Sequence, residues 1–353
     1  MGQDFCLIAP RCREKLSWNR RPVEDLFNGS ASSLVSLFAR PIIPQSHDVE
    51  NRHRTALPKP GKTIPQKRSI LVQLPTEILC RILDFLDELE DVFLWGLSCQ
   101  KLWALVRPVI AKHFTSYLGV WAGIPVIFVG EDSGCSGNTL HPDGMLSPDD
   151  LDELEEGLDF DELENEMDAE MAEEYAGKPV SLYRLAESRY ATTDAVTLSF
   201  PHDLFGLALD LHHKYPGLVD MFQVANPKPK SFYPCSEEWV LRNLTTHEFV
   251  RPSTVALDEK HIKGPFIDFL GYGEVIMYKT CWSTSDYSLI QGKEMHRGVW
   301  AGHALDIVPA THLDGDTSWK DISDKIAQEI SEIWGEVFGE SWKTDLVTKQ
   351  RGW

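Results

Sequence analysis

Positive charge is scarce in this chain. Its 353 residues hold 34 Lys and Arg against 54 Asp and Glu, a net charge of -20. That balance argues against a nucleic-acid partner and against an anionic membrane surface. No run reaches ~18 uncharged apolar residues, so no membrane-spanning helix and no membrane partner are expected. The opening "MGQDFCLIAPRCREK" has an apolar patch too short for a signal peptide, and Cys6 stands where myristoylation wants Ser or Thr. There is no Cys-x-x-Cys. Seven cysteines, at 6, 12, 80, 99, 135, 235 and 281, are odd in number and widely spaced. A reducing compartment fits, cytoplasmic and/or nuclear.

Catalytic and cofactor motifs are missing too. "PGKTIP" at 60–65 has Ala56 where a phosphate loop needs Gly, and prolines crowd it. "GYGEVI" at 271–276 ends on Ile276 rather than the last Gly of a dinucleotide fingerprint, and "HEFVR" at 247–251 has Arg251 where a zinc protease has His. Leu154 and Leu163 would occupy ligand positions of a calcium loop begun at Asp152. His212 and His213 lack a zinc spacing, and no Gly-x-Ser-x-Gly occurs. No cofactor and no metal are expected, and no catalytic residue is assigned. His296 and His303 flank Trp300, an arrangement read as surface or core rather than catalysis.

What is present divides the chain. Short strands are expected at 3–9 and around Leu16, then a turn and brief helix in "LFNGSASSLVSLFARP". Residues 41–69, with prolines at 41, 44, 58, 60 and 65, read as a linker. Residues 149–174 hold 15 acidic residues and no Lys or Arg. Like charges four apart oppose a helix, so a mobile surface insertion is expected, with an acidic docking segment as the alternative. After Pro179 the pattern reads as β-rich, broken by a helix near 203–214. Strands are expected in "EWVLRNLTTHEFVRP" and "GEVIMYKTCWS". Ile322, Ile326, Ile330, Ile333, Trp334 and Val337 share a helical face, with Ser318 and Asp321 as its cap. "GVWAG" occurs at 119–123 and again at 298–302, each copy followed by an alternating apolar run. The two copies are expected to enter strands in equivalent ways.

The segment 70–116 has its own logic. On a helix over 76–87, Ile78, Leu79, Ile82, Leu83, Phe85 and Leu86 fall within an arc of about 160°. Pro75 suits the first helical position and Glu77 the positive end of the dipole. A second helix begins after Asp87 and breaks at Gly96; a third carries Leu97, Leu102, Trp103, Leu105, Val106, Val109 and Ile110. So small a unit cannot use so wide a stripe internally. Each fully exposed apolar side chain would forgo roughly 1.5–3 kcal/mol, so another body should cover it: this chain or another protein.

"LVQLPTEILCRILDFLDELEDVFLWGLSCQKLWALV" resembles the F-box, through Leu74-Pro75, Glu77-Ile78, the Ile82/Leu83/Leu86 stripe, the acidic 87–91 turn and "LSCQKLW". Gln100-Lys101 departs mildly from the basic pair many members carry. The resemblance implies a three-helix motif that docks on the Skp-type adaptor, and through it a cullin, in a ubiquitin ligase. Leu74, Pro75, Ile78, Ile82, Leu86, Cys99 and Trp103 would face or support that adaptor. "VWAGIPVIFVGE", "WVLRNLTTHEFVR" and "HRGVWAGHALDIV" further resemble a group of filamentous-fungal F-box proteins. The implied architecture is α+β: a small three-helix F-box inserted by a linker into a β-rich domain closed by a C-terminal amphipathic helix. Residues 1–40 would join 117–353, with 41–69 and the F-box at 70–116 between them. The implied function is a substrate receptor that brings an unknown target protein for ubiquitination. The alternative is an enzyme or structural protein whose β-rich domain acts outside a ligase.

Overall fold

The computed structural model describes residues 4–16, 31–43, 70–131, 141–164, 169, 172–173, 176–196, 199–200, 204–214, 219–283 and 297–350. The fold is mixed α and β. Two compact units form: one from Met1–Arg40, Gly119–Ala195 and Cys235–Trp353, the other from Pro41–Leu118 and Val196–Pro234.

The first unit is built on β1 (Phe5–Ala9), β2 (Glu14–Leu16), β3 (Pro125–Gly130), β4 (Ala191–Thr193), β5 (Trp239–Asn243), β6 (Glu248–Val250), β7 (Ile262–Lys263), β8 (Phe266–Ile267), β9 (Cys281–Trp282), β10 (His303–Pro309) and β11 (Lys320–Asp321). Nine of these make one mixed sheet in the order β11-β6-β5-β10-β3-β1-β2-β4, with β9 also on β3; β7 and β8 form a separate ribbon.

The two halves of this sheet repeat one another. The hairpin β1–β2 pairs Ile8 with Lys15, as β5–β6 pairs Arg242 with Phe249. Ile8 pairs with Ile127 on β3, as Arg242 pairs with Asp306 on β10. The outer strands β4 and β11 are both parallel additions, Ala191 opposite Glu14 and Lys320 opposite Glu248. Each hairpin turn has a left-handed residue at the same place, Arg13 at φ 53 and His247 at φ 55.

The GVWAG copies explain how the halves join. Gly123 N–H donates to the Leu305 carbonyl, and Gly302 N–H donates to the Val126 carbonyl, each at 2.8 Å. Both glycines have positive φ, which L side chains rarely adopt. Trp121 and Trp300 are buried, and their indole N–H groups donate to Glu14 and Glu248 at 2.7 and 3.2 Å. Their backbone N–H groups donate to Leu37 and Lys279. Ala39 bridges Ile307 in parallel, as Cys281 pairs with Phe128. The two copies therefore occupy equivalent places.

Several sequence expectations change here. "GEVIMYKT" lies in a helix, Tyr272–Thr280, with only the following Cys281–Trp282 extended. The Glu274 carboxylate accepts from Gly271 N–H at 2.9 Å and Ala31 N–H at 3.0 Å, which fixes the helix start. Nearly every residue of this helix is buried, so it shows no polar face to betray its period. Residues 182–189, expected in a β-rich stretch, form a helix capped by the Ser181 hydroxyl.

The described part of 149–174 differs from the mobile insertion expected of it. Pro148–Glu156 is a helix with a Ser147/Asp150 capping box, followed by the helix Phe160–Glu164. Leu154, Leu158, Leu163 and Ala172 are buried in one core with Ile8, Ile127, Leu182 and Leu185. Arg13 and Arg189, distant in sequence, supply the missing cations: Arg13 binds Glu153 through two bonds, and Arg189 binds Glu162 through two.

The C-terminal helix spans Ser323–Phe338 and contacts β6, burying Ile326, Ile330, Ile333 and Trp334 while Val337 stays exposed. Its cap is not Ser318 with Asp321; the Asp321 carboxylate accepts from Ser323 N–H at 3.0 Å. A further helix, Trp342–Gln350, packs against it.

The second unit holds the helices Thr76–Leu83, Leu89–Leu97 and Gln100–Thr115. The helices Phe205–Lys214 and Val219–Ala225, grouped with the β-rich domain on sequence, belong to this unit. The reason is aromatic packing: Phe200 lies 4.9 Å from Phe114, 6.2 Å from Tyr117 and 6.0 Å from Phe232 by ring centroids. Residues 44–69 of the linker expected at 41–69 lie outside the described residues.

Candidate functional site

The residues singled out at 74–103 all lie on the three-helix part of the second unit. Pro75 is the cap rather than the first helical residue: its carbonyl accepts from Ile78 and Leu79 N–H at 3.1 and 3.2 Å. Lys101 Nζ donates to the Leu74 carbonyl at 2.7 Å, so the Leu-Pro entry is tied to the start of the third helix. Cys99 is the extended N-cap of that helix, and its carbonyl accepts from Trp103 N–H at 2.9 Å. Trp103 meets Phe93 edge-on at 5.7 Å.

The break expected at Gly96 falls instead at Ser98–Cys99, and Leu97 ends the second helix. Gly96 is inside the helix for a packing reason. A Cβ there would sit 2.2 Å from Val106 Cγ2, so only glycine lets the second and third helices approach this closely.

Burial divides the apolar stripe. Leu79 and Leu83 are buried, Leu74, Ile82 and Leu86 are half-buried, and Pro75, Ile78 and Phe85 are exposed. Ile78 is 47% exposed and Phe85 82% exposed. Cys99 and Trp103 are half-buried. The first helix ends at Leu83 and not at Asp87, which puts Phe85 on a turn and Leu86 just after it. Leu94 and Val109 add two more exposed apolar groups to this unit.

A second cluster, which the sequence reading missed, lies in the sheet unit. Lys279 and Tyr278 both bond Glu329 on the C-terminal helix. Burial drives both charged partners towards neutrality, Lys279 down to about 8 and Glu329 up to about 7. In the other half of the sheet the place of Lys279 is taken by Leu37, whose carbonyl accepts from Trp121 N–H as that of Lys279 accepts from Trp300 N–H. The pair is thus a local substitution in a repeated frame, and spacing in sequence gave no sign of it. His303, flagged on sequence, bonds Asn243 Nδ2 through Nδ1 at 2.9 Å, and burial lowers its pKa; His296 lies outside the described residues.

No group of three His, Cys, Asp or Glu side chains among the described residues is placed to hold a metal ion. No described helix is long and apolar enough to cross a membrane. No family model, no curated protein and no solved structure matches the chain.

Proposed function

We propose that the three-helix part of the second unit docks on an Skp-type adaptor, and that the chain serves as a substrate receptor of a cullin–RING ubiquitin ligase. The observation that carries this reading is the exposure of Pro75, Ile78 and Phe85 beside half-buried Leu74, Ile82 and Leu86. Apolar side chains left open on a small helical unit mark a protein interface. Had these side chains been buried within the chain, the F-box resemblance would have lost its physical support. The acting principle is proximity: the receptor holds a target near a charged conjugating enzyme and forms no covalent bond itself.

Affinity purification of wild type beside Leu74→Ala/Pro75→Ala tests the reading. Adaptor and cullin are expected with wild type and absent with the variant. Equal recovery, or none with either, counts against it.

A further inference from the structure

The repeat within the sheet shows where the halves have diverged. In the first half, Ile8 pairs with Ile127, and Trp282 follows Cys281 beside them. All three join an apolar cluster closed over by Leu154, Leu158 and Leu163. The equivalent positions in the second half are Arg242, Asp306 and Arg40. Here Asp306 is fully buried and accepts from both arginines: Arg242 Nε at 2.9 Å and Nη2 at 2.9 Å, Arg40 Nε at 2.8 Å. The sheet itself therefore does not demand charge at this place, since its other half fills it with hydrocarbon.

Two arginines on one carboxylate leave one positive charge over. That charge is accessible. The Arg40 side chain is 48% exposed. Its Nη2 donates to the Ala122 carbonyl at 3.2 Å, and its Nη1 has no partner among the described residues. Cover is also thin. Where the first half spends residues 131–190 between its third strand and its outer strand, β10 reaches β11 through a short turn at Ala310–Leu313 and Trp319. Trp319 forms an aromatic wall: the Arg242 guanidinium lies 4.9 Å from its ring and His247 stacks on it at 5.2 Å.

We propose that Arg40 and Arg242, walled by Trp319, form a binding site for a single carboxylate side chain of an acidic peptide. The one surplus charge matches a carboxylate better than a phosphoryl dianion. An arginine pre-oriented by a buried carboxylate loses little freedom when it engages such a group. The inference does not depend on the adaptor reading, because the site lies wholly in the sheet unit.

The test uses the full chain and two blocked peptides, Ac-Gly-Glu-Tyr-Glu-Gly-NH2 and its Gln counterpart, followed through the arginine Nε–H resonances. Saturable binding of the Glu peptide is expected, weakened by salt. The Gln peptide, and the Arg40→Gln variant with the Glu peptide, should each bind at least about tenfold more weakly. Arg40→Lys should fall between. Absence of saturable binding, or equal binding of the Glu and Gln peptides to wild type, overturns the proposal. The peptide comparison on wild type holds even if Arg40→Gln does not fold.

Discussion

Ala31 and Gly273 touch where the two halves of the sheet unit meet: a Cβ on Gly273 would stand 1.9 Å from the Ala31 carbonyl oxygen. Ala31 starts the 3-10 turn Ala31–Leu34, which runs through the helix Val35–Phe38 into Ala39, and Gly273 is the second residue of the helix Tyr272–Thr280, which runs into Cys281. The close approach of these backbones lets the helices pack at the join.

Gly273→Ala is a sharp test because helix propensity gives the opposite sign. In an open helix interior, alanine is favoured over glycine by about 1 kcal/mol. Here overpacking against backbone should destabilise by about 2 kcal/mol or more. Denaturant unfolding decides it, and a stability at or above wild type would refute the close contact.

The buried ion pairs of Asp306 allow a second prediction. Asp306→Ile alone should destabilise by about 3–5 kcal/mol, because it strands the largely buried Arg242 guanidinium. Arg242→Ile/Asp306→Ile copies the Ile8–Ile127 solution of the other half and should recover part of that loss. A double variant no better than the single one would show that the halves are not interchangeable at this position.

The acidic helices should respond to acid. Arg189, bonded to Glu162, pulls that carboxyl from 4.5 down to about 2. A depressed folded-state pKa gives stability that is present above the unfolded value and lost as pH falls through the folded one. Wild type should therefore exceed Glu162→Gln in stability near neutrality, with the difference closing between pH 4.5 and about 2. A difference unchanged over that window would contradict the ion-pair assignment.

The paired indoles offer a third comparison. Trp121→Phe and Trp300→Phe each remove one donor from a carboxylate, Glu14 or Glu248. Each should cost about 1–3 kcal/mol in chemical denaturation. A near-zero cost at one site alone would mean that the indole bond matters in only one half.

Alternation made the hairpins legible: the strands around Leu7 and around Leu241 sit where their patterns put them. The helix at 272–280 was hidden because burial on all sides erases amphipathic period. The acidic block misled for an electrostatic reason. Its like charges argue against order locally, while Arg13 and Arg189, brought in by the fold, answer them. Only five letters of the repeat were visible in sequence, since register and backbone hydrogen bonds carry most of it and side chains such as Ile8 and Arg242 have diverged. At the candidate adaptor surface, spacing gave the stripe. It could not tell which of its members the neighbouring helices would cover, and that division, with Ile78 outside and Leu79 inside, arises only from packing.

The most direct measurement is binding of the purified full chain to a purified Skp-type adaptor, comparing wild type with Ile78→Asp. Ile78 is exposed, so the change should leave the fold intact, which circular dichroism can check. A stable complex with wild type, weakened by about 2 kcal/mol or more in the variant, is the predicted result. No complex with wild type, or equal affinity for the folded variant, would contradict the account.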